Sequence, residues 1–319
     1  MKTKFAVGCL VQWYEIKILP EYIDTLLLAI DAYDRDQVFV DIKLVINQDL
    51  EQIDDPDRLI HILSEFDRQV ERLQDYHGDV VIDKSLATIA DYRRDFNSQY
   101  CNLADVLVWG ESDMLVPRQA FVILDLLHQT QSKQTPKYLA TFGICKMWDK
   151  SWEVLEHPNF TTKQHSDSKD DWWSVNYTMN ADEMNAINGT VEDLSISTVN
   201  PHKFNGCGLI ISSEVIKAGV NIPQSVFFVH EDTAFMMMTQ KVLGNIPQYH
   251  ISNILVVHNR KHPNKRMYIK DETGNTIGEK RKSQSWYTPA NKLCEQNCHN
   301  LFNSGYKAYT WEDVFKLAN

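Results

Sequence analysis

The chain is predicted to be an α/β protein with a mostly parallel central sheet flanked by helices and a helical appendage at its C-terminal end. Three observations predict it. Short β-branched runs alternate with segments of helical apolar spacing over the first 130 residues, acidic and amide residues cluster where the runs end, and 319 residues at 43% hydrophobic are ample for a covered sheet.

The elements follow in order. Phe5 to Val11 reads as a buried strand, and from Pro20 the apolar residues Tyr22, Ile23, Leu26, Leu27, Ile30 and Tyr33 recur at helical spacing. Val38 to Ile46 is a second strand, ending in Asn47-Gln48-Asp49. Asp55-Pro56 then supplies a cap and a first-turn proline for a helix running through Leu59, Leu63, Phe66, Val70 and Leu73. After a less regular stretch, Lys84 to Asn97 reads as helix, Leu103 to Trp109 as the third strand and Pro117 to His128 as helix. In such a sheet, sites lie beyond the carboxyl ends of the strands, here Gln12 to Glu15, Asn47 to Asp49 and Gly110 to Asp113. Residues 157 to 203 are polar and contain Asp170-Asp171-Trp172-Trp173, a length that marks a functional or mobile loop. Gly206-Cys207-Gly208 opens a strand from Leu209 to Ile211, a short helix ends at Gly219, Glu231 to Leu243 is a helix closed by Gly244, and Ile251 to Val257 is a strand that delivers His258.

No stretch approaches the roughly 20 apolar residues of a membrane span, and Met1-Lys2-Thr3-Lys4-Phe5 enters a strand without a signal-peptide core, so a cytoplasmic protein without membrane contact is expected. Six cysteines at 9, 101, 145, 207, 294 and 298 lack paired metal-binding spacing and read as free buried thiols; Cys294, Cys298 and His299 could share a helical face around zinc, but only as three ligands of the usual four. The net charge of −11 argues against a surface made to neutralise phosphates. It is uneven, because His258 to Lys282 holds eight Lys or Arg against three Asp or Glu. This basic stretch is expected to be either a solvated loop or a lid that orders over an anion, hinged at Gly274 and Gly278.

The acidic turn Glu111-Ser112-Asp113, the pair Glu231-Asp232 and His258, 26 residues beyond Asp232, together suggest a divalent-metal site for a phosphorylated substrate. Mg²⁺ and Mn²⁺ favour oxygen ligands and leave positions for phosphate, and Mn²⁺ tolerates imidazole better. Each motif also has a plain structural reading: acids in a first helical turn complement the helix dipole, and a histidine can simply end a strand.

In this order the motifs resemble those of the GT-A glycosyltransferases, which are Rossmann-like, and particularly the family 2-like inverting, metal-dependent enzymes, over residues 3 to 262. The family's acidic turn is typically D-x-D; here Glu111 stands first. The resemblance implies a catalytic unit over 1–262, with a basic lid and helical extension over 263–319, and Mn²⁺ or Mg²⁺ as cofactor. It implies Asp113 and His258 as metal ligands, with Glu111 on the metal or the donor ribose, and matches the family's E-D pair to Glu231-Asp232. Asp232 is then the candidate general base, and Glu231 orients the acceptor or the helix start. Gln12, Tyr14, Glu15, Asn47 and Asp49 are expected at the nucleoside, Arg94 at the diphosphate, and Trp172, Trp173, Gly206 and Gly208 at the acceptor. The expected donor is a nucleotide-sugar, with UDP-sugar first, and the acceptor a glycan, a small molecule or a modified DNA base. A Q-x-x-R-W motif does not follow Glu231-Asp232, which speaks against a processive polysaccharide synthase. A DNA-modifying transferase of the phage type, a nucleotidyltransferase and a non-catalytic carbohydrate-binding protein are the alternatives. The second would need a Gly-rich basic loop that Gly8-Cys9-Leu10-Val11-Gln12-Trp13 lacks, and the third needs neither a metal nor the Glu231-Asp232 pair.

Overall fold

Side chains on the first strand point alternately to two different apolar layers, and this alternation sets the architecture. The computed structural model describes residues 2–47, 56–83, 87–144, 180–199, 204, 206–258, 268–270, 276–279 and 285–318, without the side chains of 83, 144, 268–270 and 276–279. Strand β1 (Phe5–Gln12) leads through a 3-10 turn at Trp13–Glu15 into α1 (Leu19–Asp31), followed by β2 (Val38–Val45), α2 (Pro56–Val70), β3 (His77–Asp83), α3 (Ile89–Tyr100), β4 (Val106–Glu111), β5 (Met114–Leu115), α4 (Ala120–Gln131) and β6 (Leu139–Ile144). Then come α5 (Ala181–Asn188), β7 (Ile196–Thr198), β8 (Leu209–Ser212), α6 (Ser213–Lys217), α7 (Glu231–Leu243), β9 (Gln248–His258), the hairpin β10 (Tyr268–Lys270) and β11 (Thr276–Glu279), α8 (Tyr287–His299) and α9 (Trp311–Ala318).

Phe5, Val7, Cys9 and Val11 join the layer formed with α1, α2 and α4, whereas Ala6 and Leu10 join the layer formed with α3, α6, α7 and both C-terminal helices. A strand covered on both faces has to be apolar throughout, and all eight residues of β1 are buried. The sheet runs β3-β2-β1-β4-β8-β6-β9-β5, with β7 on β9. Strands β1, β2, β3, β4, β6 and β9 share one direction, while β5, β7 and β8 oppose them. From β1 the chain moves outward to β2 and β3, then returns to β4 on the other side, so a crevice opens at the carboxyl ends of β1 and β4.

Several elements differ from the sequence expectation: β4 starts at Val106 rather than Leu103, α4 is shifted three residues later to Ala120–Gln131, and β6 carries no expectation. Strand β3 falls in the stretch that reads as irregular, because an edge strand with Val80, Val81 and Ile82 partly exposed has no inner face to enforce an apolar pattern. Helix α3 starts at Ile89 rather than near Lys84: the Thr88 hydroxyl accepts from the Asp91 amide and the Asp91 carboxylate accepts from the Thr88 amide, a reciprocal cap that sets the first turn. Within 157–203, taken as loop, α5 and β7 are ordered elements, with Asn180 capping α5. Helix α7 matches the expected span at both ends, and β9 starts three residues before the expected Ile251.

The C-terminal helices pack into the second layer. Trp286 and Trp311 meet Phe228 edge-on or tilted with ring centroids 5.6 and 5.7 Å away, and Asn297 of α8 bonds Ser225 O and Tyr309 O. Among the described residues no helix is long and apolar enough to cross a membrane. Asp49, Trp172 and Trp173 lie outside the described residues, as does most of the basic segment.

Candidate active site

The ends of β4 and β9, the Gly206–Gly208 entry to β8, the first turn of α7, helix α3 and the loop after β1 bring polar and charged groups to the crevice. Met114 of β5 pairs with His258 in antiparallel register, which folds the Glu111-Ser112-Asp113 turn back under the end of β9. The turn is therefore covered: Ser112 and Asp113 are each 3% exposed. His258 Nε2 lies 3.0 Å from Glu111 Oε2 and 3.3 Å from Asp113 Oδ2. One atom each from Glu111, Cys207 and His258 lie within 4.8 Å of one another, the one such group among the described residues. Ligands held at roughly 2.0–2.3 Å from one ion stand about 3–4 Å apart, so this oxygen, nitrogen and sulfur set fits a divalent cation.

Arg93 of α3 organises the rest. Its guanidinium donates to Glu231 Oε1 at 2.5 Å, Glu111 Oε1 at 2.9 Å and the Gly206 carbonyl at 3.0 Å, and lies 4.7 Å from the Trp109 ring centre. A single buried fork thus ties the acidic turn, the entry to β8 and the start of α7. Gly206 is needed there, since a Cβ at that position would sit 2.1 Å from Arg93 Nη1. Gly206 N also donates to Asp232 Oδ2 at 3.1 Å, and Gly208, at φ 69°, donates its amide to Trp109 O at 2.8 Å. His230, which precedes Glu231, has φ 66°, a left-handed conformation that turns the chain sharply into α7.

The charges shift one another. Burial raises the Glu111 carboxyl, but His258 and Arg93 outweigh it and hold the group down at about 2. Burial lowers the His258 imidazole, yet Cys207, Asp113 and Glu111 raise it well above its ordinary value. Burial pushes Glu231 up to about 7 against the pull of Arg93, and the neighbouring Asp232 adds to the rise. Asp232, by contrast, is only partly buried and accepts from Gly206 N and Thr233 N.

The loop after β1 joins this cluster through Glu15, whose Oε2 accepts from Gln12 N at 3.2 Å and from Ser112 Oγ at 2.8 Å. Tyr14 is half-buried beside Trp13, and Trp13 lies under the Arg58 guanidinium at 4.6 Å. Two of the named residues are drawn elsewhere. Both ends of the Asn47 carboxamide bond the Ala87 backbone, and the Arg94 guanidinium bonds Ile222 O, Pro223 O, Val226 O and Asp91. Those carbonyls hold the Arg94 guanidinium outside the cluster, and its neighbour Arg93 enters it. The helix pattern carries that signal, because Ile89, Arg93, Phe96 and Tyr100 fall on one face at helical spacing and Arg94 falls beside it. Cys207 has no comparable sequence signal, since a lone cysteine between glycines looks like packing.

No family model and no curated protein matches this chain. Solved structures do. The mannosyltransferase PcManGT from Pyrobaculum calidifontis, in complex with GDP-Man and Mn²⁺, is similar at TM-score 0.51 and 9% identity over 100% of this chain and 68% of that one. The fold is GT-A. Two further similar structures are S. aureus TarS, with TM-score 0.47 and 11% identity over 80% of this chain, and GalNAc-T7 with UDP, GalNAc and Mn²⁺, with TM-score 0.47 and 10% identity over 99% of it. The chain spans 36% of TarS and 54% of GalNAc-T7.

Proposed function

We propose that this chain is a glycosyltransferase that moves a sugar from a nucleotide-sugar donor, a UDP-sugar first among them, to an acceptor hydroxyl with inversion and with a divalent metal, Mn²⁺ or Mg²⁺. The observation that carries the reading is the meeting of Glu111, Asp113 and His258 with the Glu231-Asp232 helix start at the crevice of a GT-A fold. A cation held by Asp113 and His258, with Glu111 beside them, would supply positive charge to the diphosphate as it leaves. Arg93 keeps Glu111 in place for that task and fixes the end of α7 that carries the base.

Asp232 takes the proton from the acceptor hydroxyl as that oxygen attacks the anomeric carbon, a role typically worth about 10²- to 10⁴-fold. Its partial exposure and its bond from Gly206 N suit a carboxylate aimed at an incoming acceptor. Glu231 orients Arg93 and the helix start. Gln12, Tyr14 and Glu15 form the donor side, Asn47 and Arg94 brace the loops around it, and Gly206 and Gly208, with Trp172 and Trp173, belong to the acceptor side. The catalytic unit is proposed to span 1–262, with the remainder as lid and helical extension, in a cytoplasmic protein.

The test is nucleoside diphosphate release from a panel of UDP-, GDP- and dTDP-sugars, with Mn²⁺, with Mg²⁺ and with EDTA. One donor is expected to be turned over only with metal, and Asp113→Asn should abolish metal-dependent binding of the nucleoside diphosphate. UDP and GDP binding that is indifferent to both EDTA and Asp113→Asn would overturn the metal-site reading.

A further inference from the structure

The acidic turn and His258 account for oxygen and nitrogen donors, but the group of possible ligands also contains a sulfur. Cys207 is 1% exposed and lies with Glu111 and His258 inside the 4.8 Å cluster. Its position is fixed on both sides. Gly206 is clamped through its carbonyl by Arg93 and through its amide by Asp232, and Gly208 is held by Trp109 O in a conformation few other residues adopt. A thiol held by backbone clamps next to an imidazole and a carboxylate is the arrangement of a ligand whose place is set before the ion arrives.

We propose that Cys207 is a direct metal ligand, which makes this a sulfur-containing Glu-Cys-His centre that prefers borderline, thiophilic divalent cations such as Zn²⁺ and Co²⁺ over Mg²⁺. The inference rests on the metal-dependent reading of the same site and narrows its ion: of the two ions proposed there Mg²⁺ is disfavoured and Mn²⁺ is kept, with Zn²⁺ and Co²⁺ binding more tightly than either. Thiolate and imidazole both disfavour Mg²⁺, which demands oxygen and keeps its waters, whereas one sulfur and one nitrogen beside the carboxylates of Glu111 and Asp113 are a donor set that Zn²⁺ and Co²⁺ accept. In coordination the cysteine loses its proton to solvent and the sulfur lone pair forms the bond to the cation, with no change of oxidation state.

The test uses the full chain stripped with EDTA and titrated with Co²⁺, alongside Cys207→Ser and a Cys294→Ser/Cys298→Ser control. A sulfur-to-cobalt charge-transfer band in the near ultraviolet is expected to saturate at about one Co²⁺ per chain in the wild type and in the control, and to be missing in Cys207→Ser. Zn²⁺ affinity, measured by competition with a chromophoric chelator, should fall by about a hundredfold or more in that variant, since loss of a partner merely orienting a ligand already costs about 10- to 100-fold. X-ray absorption of the zinc-loaded wild type should show one sulfur at about 2.3 Å, and this decides the matter even if Cys207→Ser fails to fold. Co²⁺ bound without the band, or a band that survives Cys207→Ser, overturns the sulfur ligand and leaves the Glu111–His258 site standing. A wild type that binds none of Co²⁺, Zn²⁺ and Mn²⁺ overturns the metal reading as a whole.

Discussion

Replacing Arg93 with methionine removes the buried guanidinium that sits inside the carboxylate cluster, and its effect can be worked from the bonds it makes. The guanidinium is 2% exposed and joins Glu231 and Glu111, so its loss leaves two largely buried carboxylates without that partner. Breaking a buried pair in this way costs about 3–5 kcal/mol. For 319 residues at roughly 2.1 cal/mol/K each, the unfolding entropy is roughly 0.7 kcal/mol/K, so a cost of about 4 kcal/mol lowers Tm by about 6 °C. Arg93→Lys keeps the charge but can satisfy only part of the fork and loses the flat face over Trp109, so about half that loss is expected. Thermal melts followed by circular dichroism in EDTA measure both. A double-mutant cycle with Glu231→Gln isolates the pair: Glu231→Gln should cost much less in the Arg93→Met background than in the wild type. An Arg93→Met melting point within about 2 °C of wild type, together with equal costs for Glu231→Gln in both backgrounds, would refute the claim that Arg93 holds the site together.

Gly206→Ala places a methyl group against Arg93 Nη1 and should cost about 1–3 kcal/mol in urea unfolding, with most of that cost vanishing in the Arg93→Met background. Asp232→Asn should leave binding of the nucleoside diphosphate nearly intact while lowering turnover by at least about a hundredfold, and Glu231→Gln should be milder; equal loss of affinity and turnover in Asp232→Asn would move that residue to the donor side. The pH dependence follows from Glu111, whose folded value of about 2 lies below its ordinary 4.5. Its stabilisation is therefore full above 4.5 and is lost as pH falls through 2. In EDTA, the advantage of wild type over Glu111→Gln should shrink by about half between about pH 5 and about pH 3, and an advantage that grows on acidification would contradict the assigned shift.

Strand β1, helices α1, α2 and α7 and the carboxyl-end position of the acidic turn were all legible in the residues, because each is written locally: an unbroken apolar run, a 3.6-residue period, a first-turn proline, a closing glycine. The gathering of Glu111, Asp113, Glu231, Asp232 and His258 could be anticipated from their order and their places at element ends. What one dimension could not show was pairing. The register that sets Met114 opposite His258 buries the acidic turn, and the edge position of β3 removes the pattern that would reveal that strand. Arg93 and Arg94 are neighbours in sequence with the same side chain, yet about 100° of helical rotation sends one into the carboxylates and the other to the carbonyls of 222–226. Cys207 becomes chemically interesting only when β8 pairs antiparallel to β4 and brings a sulfur, a carboxylate and an imidazole from residues 111, 207 and 258 to one point. Local periodicity fixes which elements form, because it acts through neighbours along the chain; the site is decided by long-range packing, because its members meet only when the sheet closes its order.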